Sequence, residues 1–97
     1  MPTYISLWNY TQQGIENIDD APDRLDDAHE LIESVGGEVK EIYLTMGEYD
    51  VVSITEFPDD DAAAKATLRI GQAGAVGSNT LKAWPEDGYR ELIANLP

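Results

Sequence analysis

Residues 39–57 read VKEIYLTMGEYDVVSITEF, and the predicted fold follows from this stretch. Two runs rich in β-branched and aromatic residues flank the pair Gly47-Glu48, which is typical of a two-residue hairpin turn. Gly47 would supply the positive φ angle that a type II′ turn requires at its first central position. The turn predicts strands over residues 39–46 and 49–57. The expected cross-strand pairs are Met46 with Tyr49, Thr45 with Asp50, Leu44 with Val51 and Tyr43 with Val52.

The rest of the chain adds helices and strands on both sides of this hairpin. Alternation predicts a first strand over residues 3–10, and Thr11 is a plausible N-cap for a short helical turn. Pro22 lies near the start of a predicted helix that Gly36-Gly37 would end. A run of three aspartates, residues 59–61, would cap an alanine-rich helix. A fourth strand over residues 76–84 and a short helix after Pro85 complete the chain.

This order of elements predicts an α+β fold of one domain, residues 1–97. The order β-α-β-β-α-β is the ferredoxin-like split βαβ pattern, an antiparallel sheet here followed by a short C-terminal helix. Both crossover helices of such a unit pack on one face of the sheet. We expect Ile5 and Leu7, with Leu81 and Ala83, to face the helices. The residues expected on the opposite, open face are Tyr4, Ser6, Trp8, Tyr10, Ser78, Thr80, Lys82 and Trp84.

An open face lined by aromatic side chains predicts association, since a large apolar patch is rarely left in water. By the hairpin register Tyr43 and Asp50 share one side, which we place on the same open face. The first interpretation is a homodimer, or higher homo-oligomer, in which two sheets stack face to face. The second is a small-molecule cavity between the stacked sheets. The predicted ligand or interface residues are Tyr4, Trp8, Tyr43, Asp50 and Trp84.

The charge of the chain is strongly one-sided, with 19 acidic residues against six lysines and arginines and a formal net charge of −13. Nucleic acid is not an expected partner, because phosphate binding requires basic patches. Hydrophobic residues make up 42% of the chain, which argues against acidic disorder. The acidity therefore predicts a halophilic protein. Its melting temperature should rise from about 0.1 M to about 2 M KCl as salt screens the self-repulsion.

Several classes of site have little support in the sequence. The chain has no cysteine, and its one histidine, His29, has no partner for a transition-metal site. The aspartate run 59–61 lacks the ligand spacing of a calcium loop. We expect no metal and no cofactor. No signal segment or apolar run of membrane length is present, which predicts a cytoplasmic protein that does not contact a membrane.

The hairpin also carries the residues of a known family signature. Gly47, Tyr49 and Asp50 match the Gly-x-Tyr-Asp motif of the GYD family, with Glu48 at the variable position. The chain resembles that family over nearly its whole length. The resemblance implies a fold like the dimeric ferredoxin-like α+β barrels and brings no established activity or role for the motif residues. Further similar segments are residues 3–5, 11–15 and 39–43.

Two function hypotheses follow. The first is a non-catalytic module that uses the open sheet face to bind a ligand or a partner. The alternative is a cofactor-independent enzyme of the α+β barrel type, with a monooxygenase-like reaction in a pocket between the sheets. Its candidate residues are Trp8, Asn9, Tyr43 and Asp50. Asp50 is interpreted first as a capping or hydrogen-bonding residue, since aspartate beside a turn usually has that role, and second as a general base.

Overall fold

The computed structural model describes residues 1–97 and contains four strands: β1 Thr3–Tyr10, β2 Glu38–Leu44, β3 Val51–Glu56 and β4 Val76–Ala83. They form one antiparallel sheet with strand order β2-β3-β1-β4. Strand β1 pairs with both β3 and β4, and β2 forms a hairpin with β3. This topology confirms the predicted ferredoxin-like α+β fold.

The two crossover connections carry the longer helices. Two N-caps are those that the sequence predicts. The Thr11 hydroxyl accepts the Gly14 N–H at 3.2 Å at the start of a short helix, and the Asp59 carboxylate accepts the Ala62 N–H at 2.8 Å at the start of the helix in the second crossover. No helix has the length and apolar content needed to cross a bilayer. The helices are α1 Gln12–Glu16, α2 Ala21–Ser34, α3 Asp60–Gln72 and α4 Glu86–Ala94, with a 3-10 turn at Ile18–Asp20.

The C-terminus of α2 shows why glycine is needed there. Gly36 has a φ of 83°, and its N–H donates to the Glu33 carbonyl at 2.9 Å. The Gly37 N–H donates to the Ile32 carbonyl, also at 2.9 Å. These two bonds form a Schellman motif, which confirms the predicted glycine termination.

The β2-β3 hairpin has the predicted register but a wider turn. Tyr43 lies opposite Val52, the Thr45 N–H donates to the Asp50 carbonyl at 2.8 Å, and Gly47 has the expected positive φ, 131°. The prediction of a two-residue turn is wrong, because regular pairing stops before Thr45 and residues 45–50 form a loop. The physical reason is that Asp50, whose carbonyl still accepts from Thr45, directs its N–H and its carboxylate to the neighbouring strand β1.

The predicted assignment of the two sheet faces is also wrong. Tyr4, Ser6 and Trp8 are buried beneath the helices, so Ile5 and Leu7 lie on the face that no helix covers. The reason is shape. Over its first two turns, helix α3 presents small side chains to the sheet, and large rings on the sheet fill the space that they leave. Tyr4 and Phe57 meet edge to face there, with ring centroids 5.6 Å apart. The small side chains are Ala62, Ala63 and Ala66.

The uncovered face instead carries a continuous aliphatic surface, which we call the open-face patch. Ile5 lies opposite Ile54 on β3 and Leu81 on β4, and Leu7 lies opposite Val52. Pairs directly opposite on one face of an antiparallel sheet are in side-chain contact range. The open-face patch consists of Ile5, Leu7, Val52, Ile54 and Leu81.

Candidate functional site

A cavity of ≈ 540 Å³ lies between α2, α3 and the covered face of the sheet. Trp8 and Ser53 belong to its floor, Leu25 and Ala28 to the α2 wall, and Ile70 to the α3 wall. Of its 21 lining residues 14 are hydrophobic, so the space suits an apolar molecule. The volume is within the range of small-molecule pockets.

Polar side chains on the covered face of the sheet form hydrogen bonds with one another. The Trp8 indole N–H donates to the Ser53 hydroxyl at 3.0 Å, and the hydroxyls of Ser6 and Thr80 are 2.9 Å apart. Every buried side-chain nitrogen or oxygen has a hydrogen-bond partner. Because of these bonds, hydroxyl groups can be buried beneath the helices without the free-energy cost of an unpaired polar group. At the floor, the indole N–H of Trp8 is therefore already bonded to Ser53.

Charged residues occur only at the rim of this cavity. They are Arg24, Asp27 and His29 of α2 and Arg69 of α3. The Arg24 guanidinium donates to the carbonyls of Asn17 at 2.9 Å and Gly14 at 3.5 Å. Arg69 donates to the side-chain oxygen of Gln72 at 2.7 Å. Neither arginine forms an ion pair.

Of the five predicted site residues, only Trp8 lines the cavity. Tyr4 is instead part of the core, where its hydroxyl donates to Asp60, which also pairs with Lys82 at 3.0 Å. Burial first, and then the Asp60 hydrogen bond and charge, raise the pKa of Tyr4 to about 12. The Tyr4 hydrogen bond and Lys82 lower the pKa of Asp60. This pairing ties β1 and β4 to the start of α3.

Asp50 is a hydrogen-bonding residue, as its first interpretation from the sequence predicts. Its carboxylate accepts the Tyr10 N–H at 2.8 Å, and its own N–H donates to the Trp8 carbonyl at 2.9 Å. The side chain thus takes the place of a backbone acceptor where the β1-β3 pairing ends. Tyr49 beside it contributes its carbonyl, which accepts the Thr45 hydroxyl at 2.6 Å. Neither motif residue lines the cavity.

The remaining two predicted residues are exposed and far apart in the fold. Tyr43 lies on the open face and is 53% exposed, and the nearby Glu41 carboxylate raises the pKa of its hydroxyl. Trp84 follows β4, is 55% exposed and lies against Gly88 at the start of α4. The residues of the enzyme alternative therefore do not converge, since Trp8 lies on the covered face and Asn9 and Tyr43 on the open face.

The rim residues on α2 and α3 were missed at the sequence level. The apolar positions that face the cavity, such as Leu25 and Ile70, have the helical spacing of ordinary core residues. The one feature of the sequence that could have indicated these rim residues is how few lysines and arginines the chain has. The chain has six lysines and arginines, and a basic residue on the cavity side of each long helix is unusual in so acidic a sequence.

Helix α4 is the second feature that the single chain leaves uncovered. Its apolar side chains Tyr89, Leu92 and Ile93 are all at least half exposed. The tip of the β2-β3 hairpin is also exposed: Leu44, at the end of β2, is 77% exposed, and Met46, in the loop, is fully exposed. Both features extend from the sheet, and the molecule measures 50 × 30 × 18 Å.

Comparisons with known proteins agree with this fold. The family profile described as the GYD domain matches residues 4–93. A protein of Thermus thermophilus, named glutamine synthetase and cystathionine beta-lyase binding protein, is 34% identical over 97 residues, which is 99% of each chain.

Solved structures show the same architecture at lower identity. A feast or famine regulatory protein of M. tuberculosis, complexed with L-methionine, has a TM-score of 0.66 and 19% identity over 88% of this chain. The match spans 51% of that regulator, so this chain is about half its length. TTHA0845 of Thermus thermophilus has a TM-score of 0.56 and 22% identity, covering 88% of this chain and 95% of that one. At these identities the likeness concerns the fold alone.

Proposed function

The chain belongs to the GYD domain family, and on that basis we propose that it is a non-catalytic binding module. In this proposal two copies associate through the open-face patch, and the resulting homodimer binds a partner protein. The observation that carries it is the open-face patch itself: five aliphatic side chains side by side on a sheet face without a helix. Its occupant is a second copy of this chain.

The exposed area of the single chain supports a second copy. Its accessible surface is 6625 Å², whereas a monomer of this mass typically exposes about 5,500 Å². The excess of about 1,100 Å² is larger than the roughly 800 Å² that each partner buries in a standard interface. The radius of gyration, 14.5 Å, likewise exceeds the value of about 12.5 Å expected for a compact domain of this length.

Stacking two sheets through this surface would bury side chains of the right kind. Facing aliphatic surfaces pack about 10 Å apart in such an arrangement. Leu81 is 47% exposed in the single chain, and it would be covered together with Ile5 and Ile54. A two-fold axis would make the interface self-complementary.

A partner protein is suggested by the relative from Thermus thermophilus, whose name describes it as a binding protein of two metabolic enzymes. The match covers 99% of both chains, so the whole of this chain corresponds to the whole of that protein. The hairpin loop and α4 would remain as exposed apolar contacts on the dimer. We propose that the partner is likewise a metabolic enzyme.

The first test is the mass of the protein in solution. We expect light scattering in about 2 M KCl to give the mass of two chains. The Debye length there is below about 3 Å, so little repulsion between the acidic chains remains. Leu7→Glu buries like charges near the two-fold axis and should give the mass of one chain. Leu68→Glu is the matched control, because Leu68 is 74% exposed on α3, away from the open face. A wild-type mass of one chain, or a dimeric Leu7→Glu variant, would refute the proposed interface.

The second test is binding to a defined enzyme. Purified glutamine synthetase and cystathionine beta-lyase from the same source as this chain are titrated with the dimer by calorimetry. We expect saturable binding of at least one of them, weakened by Met46→Glu in the exposed loop and unaffected by Leu68→Glu. Absence of heat with both enzymes at concentrations where the dimer is intact would refute the proposed class of partner.

A further inference from the structure

We propose that the cavity between α2 and α3 is a binding site for an apolar carboxylate. The ligand has an alkyl or aryl body inside the cavity and one carboxylate group held at the rim by Arg24 and Arg69. The site lies on the covered face of the sheet. It is therefore independent of the open-face patch and of the proposed dimer.

The apolar walls of the cavity indicate that the body of the ligand is apolar. Leu25 and Ile42 line the cavity but are 41% and 38% exposed, because nothing in the chain fills the space between them. A ligand that covered both would remove apolar surface from water. The floor adds the Trp8 ring, whose N–H is already bonded to Ser53. An apolar body therefore finds contact without displacing a hydrogen bond.

The headgroup follows from the distribution of charge. Three of the six cations of the chain form ion pairs, namely Lys40 with Glu38, Lys82 with Asp60 and Arg90 with Glu86. Two of the three cations without such a pair, Arg24 and Arg69, are at the rim of this one cavity. In a chain with 19 acidic residues, such a concentration of unpaired positive charge attracts an anion.

The number and type of charges define the anion further. Asp27 is the one carboxylate among the lining residues, so the rim carries one net positive charge with His29 neutral. This favours a monoanion over a phosphate or a dicarboxylate. A guanidinium presents five N–H donors in a planar fork that matches a carboxylate. Backbone carbonyls already fix the position of Arg24 and leave part of its fork available.

The binding test uses Trp8 as its reporter. The chain has two tryptophans, and Trp84 lies outside the cavity, so the Trp84→Phe variant gives a signal from the cavity floor alone. This variant is titrated with decanoate, decanol and decylamine below their micelle concentrations. We expect decanoate to change the emission saturably and to bind at least about tenfold more tightly than decanol, with decylamine weaker still, because one charge-assisted pairing separates the probes.

Variants then separate the two parts of the site. Arg24→Gln and Arg69→Gln should each weaken decanoate binding about tenfold and leave decanol unchanged. Lys65→Gln is the matched control, because Lys65 is the third cation without an ion pair and does not line this cavity. Ala28→Phe should reduce the binding of all three probes by filling the space. Leu7→Glu should leave decanoate binding intact, which separates this proposal from the dimer.

Two results would overturn the site. One is equal affinity for decanoate and decanol, or decanoate binding that neither arginine variant alters. The other is a Trp8 emission that changes with protein concentration but with none of the probes. That result would mean that a second copy of the chain, and not a carboxylate, covers the cavity.

Discussion

The face of the sheet that the helices cover is the more polar of the two, although the apolar face would be expected to be the covered one. The covered face buries hydroxyl groups, with Ser6, Ser53 and Thr55 only 4–5% exposed. The open face presents isoleucine, leucine and valine with no helix over them. Hydroxyls can be buried where they find a partner, as Ser6 does with Thr80 and Ser53 with Trp8. The aliphatic side chains at the centre of the open face need no such partner and suit a second sheet. Fit to the covering element, more than hydrophobicity, determines which face is covered.

The largest expected effect on stability comes from substituting two neighbouring residues, Tyr4 and Ile5, that lie on opposite faces of the sheet. Tyr4→Ala removes a buried ring, its contact with Phe57 and the bond to Asp60, and should lower the free energy of unfolding by about 3–5 kcal/mol. The cost of Ile5→Ala should instead depend on protein concentration, because we expect Ile5 to be fully buried only in the dimer. Urea unfolding at low and high protein concentration measures both. A cost of Ile5→Ala, relative to the wild type, that is the same at low and high protein concentration would contradict the comparison.

A smaller effect is expected for the buried hydroxyls. Ser53→Ala removes the acceptor of the Trp8 N–H and leaves a buried donor unpaired, which should cost about 1–3 kcal/mol. Ser78→Ala is the control, because Ser78 is exposed and such surface changes usually stay within about 0.5 kcal/mol. Thermal and urea melts of the two variants give the difference. Equal stability would show that the covered face tolerates an unpaired indole.

The smallest expected effect is on the alkaline pH dependence of stability, and it concerns two tyrosines with raised pKa values, Tyr4 and Tyr43. Tyr4 has a pKa of about 12 in the folded chain against 10.0 for an ordinary tyrosine, mainly because it is buried. The folded state therefore holds this proton more tightly. Its contribution to stability is complete below pH 10 and is lost as the pH rises through about 12. We expect Tyr4→Phe to flatten this alkaline decline, measured as the slope of unfolding free energy against pH.

Tyr43 on the open face is the control for that measurement. The Glu41 charge, more than burial, raises its pKa, so added salt should lower the pKa of Tyr43 towards its ordinary value. The pKa of Tyr4 should change much less, because salt does not restore water to a buried hydroxyl. Ultraviolet titration of tyrosinate in Tyr4→Phe and Tyr43→Phe separates the two. A Tyr43→Phe variant that flattened the alkaline decline as strongly as Tyr4→Phe would contradict the assignment.

Local features of the chain were predictable because their causes are local. Thr11 and Asp59 cap helices through bonds that span three residues, and Gly36 ends α2 because the chain needs a positive φ there. The register of the hairpin follows from the spacing of its strands around Gly47. From these elements the order β-α-β-β-α-β and the antiparallel sheet follow.

What only the tertiary structure decided is which side of the sheet the helices cover, and hence where the site lies. Alternation in β1 separates Tyr4 and Trp8 from Ile5 and Leu7 but is the same pattern when the sheet is turned over. The choice depends on the fit of the α3 alanines to the rings of Tyr4 and Phe57, and Tyr4 is more than fifty residues away from α3 in the sequence. The cavity beside Trp8, with Arg24 and Arg69 at its rim, forms only after that choice, because α2 and α3 are separate in sequence and meet over the same face.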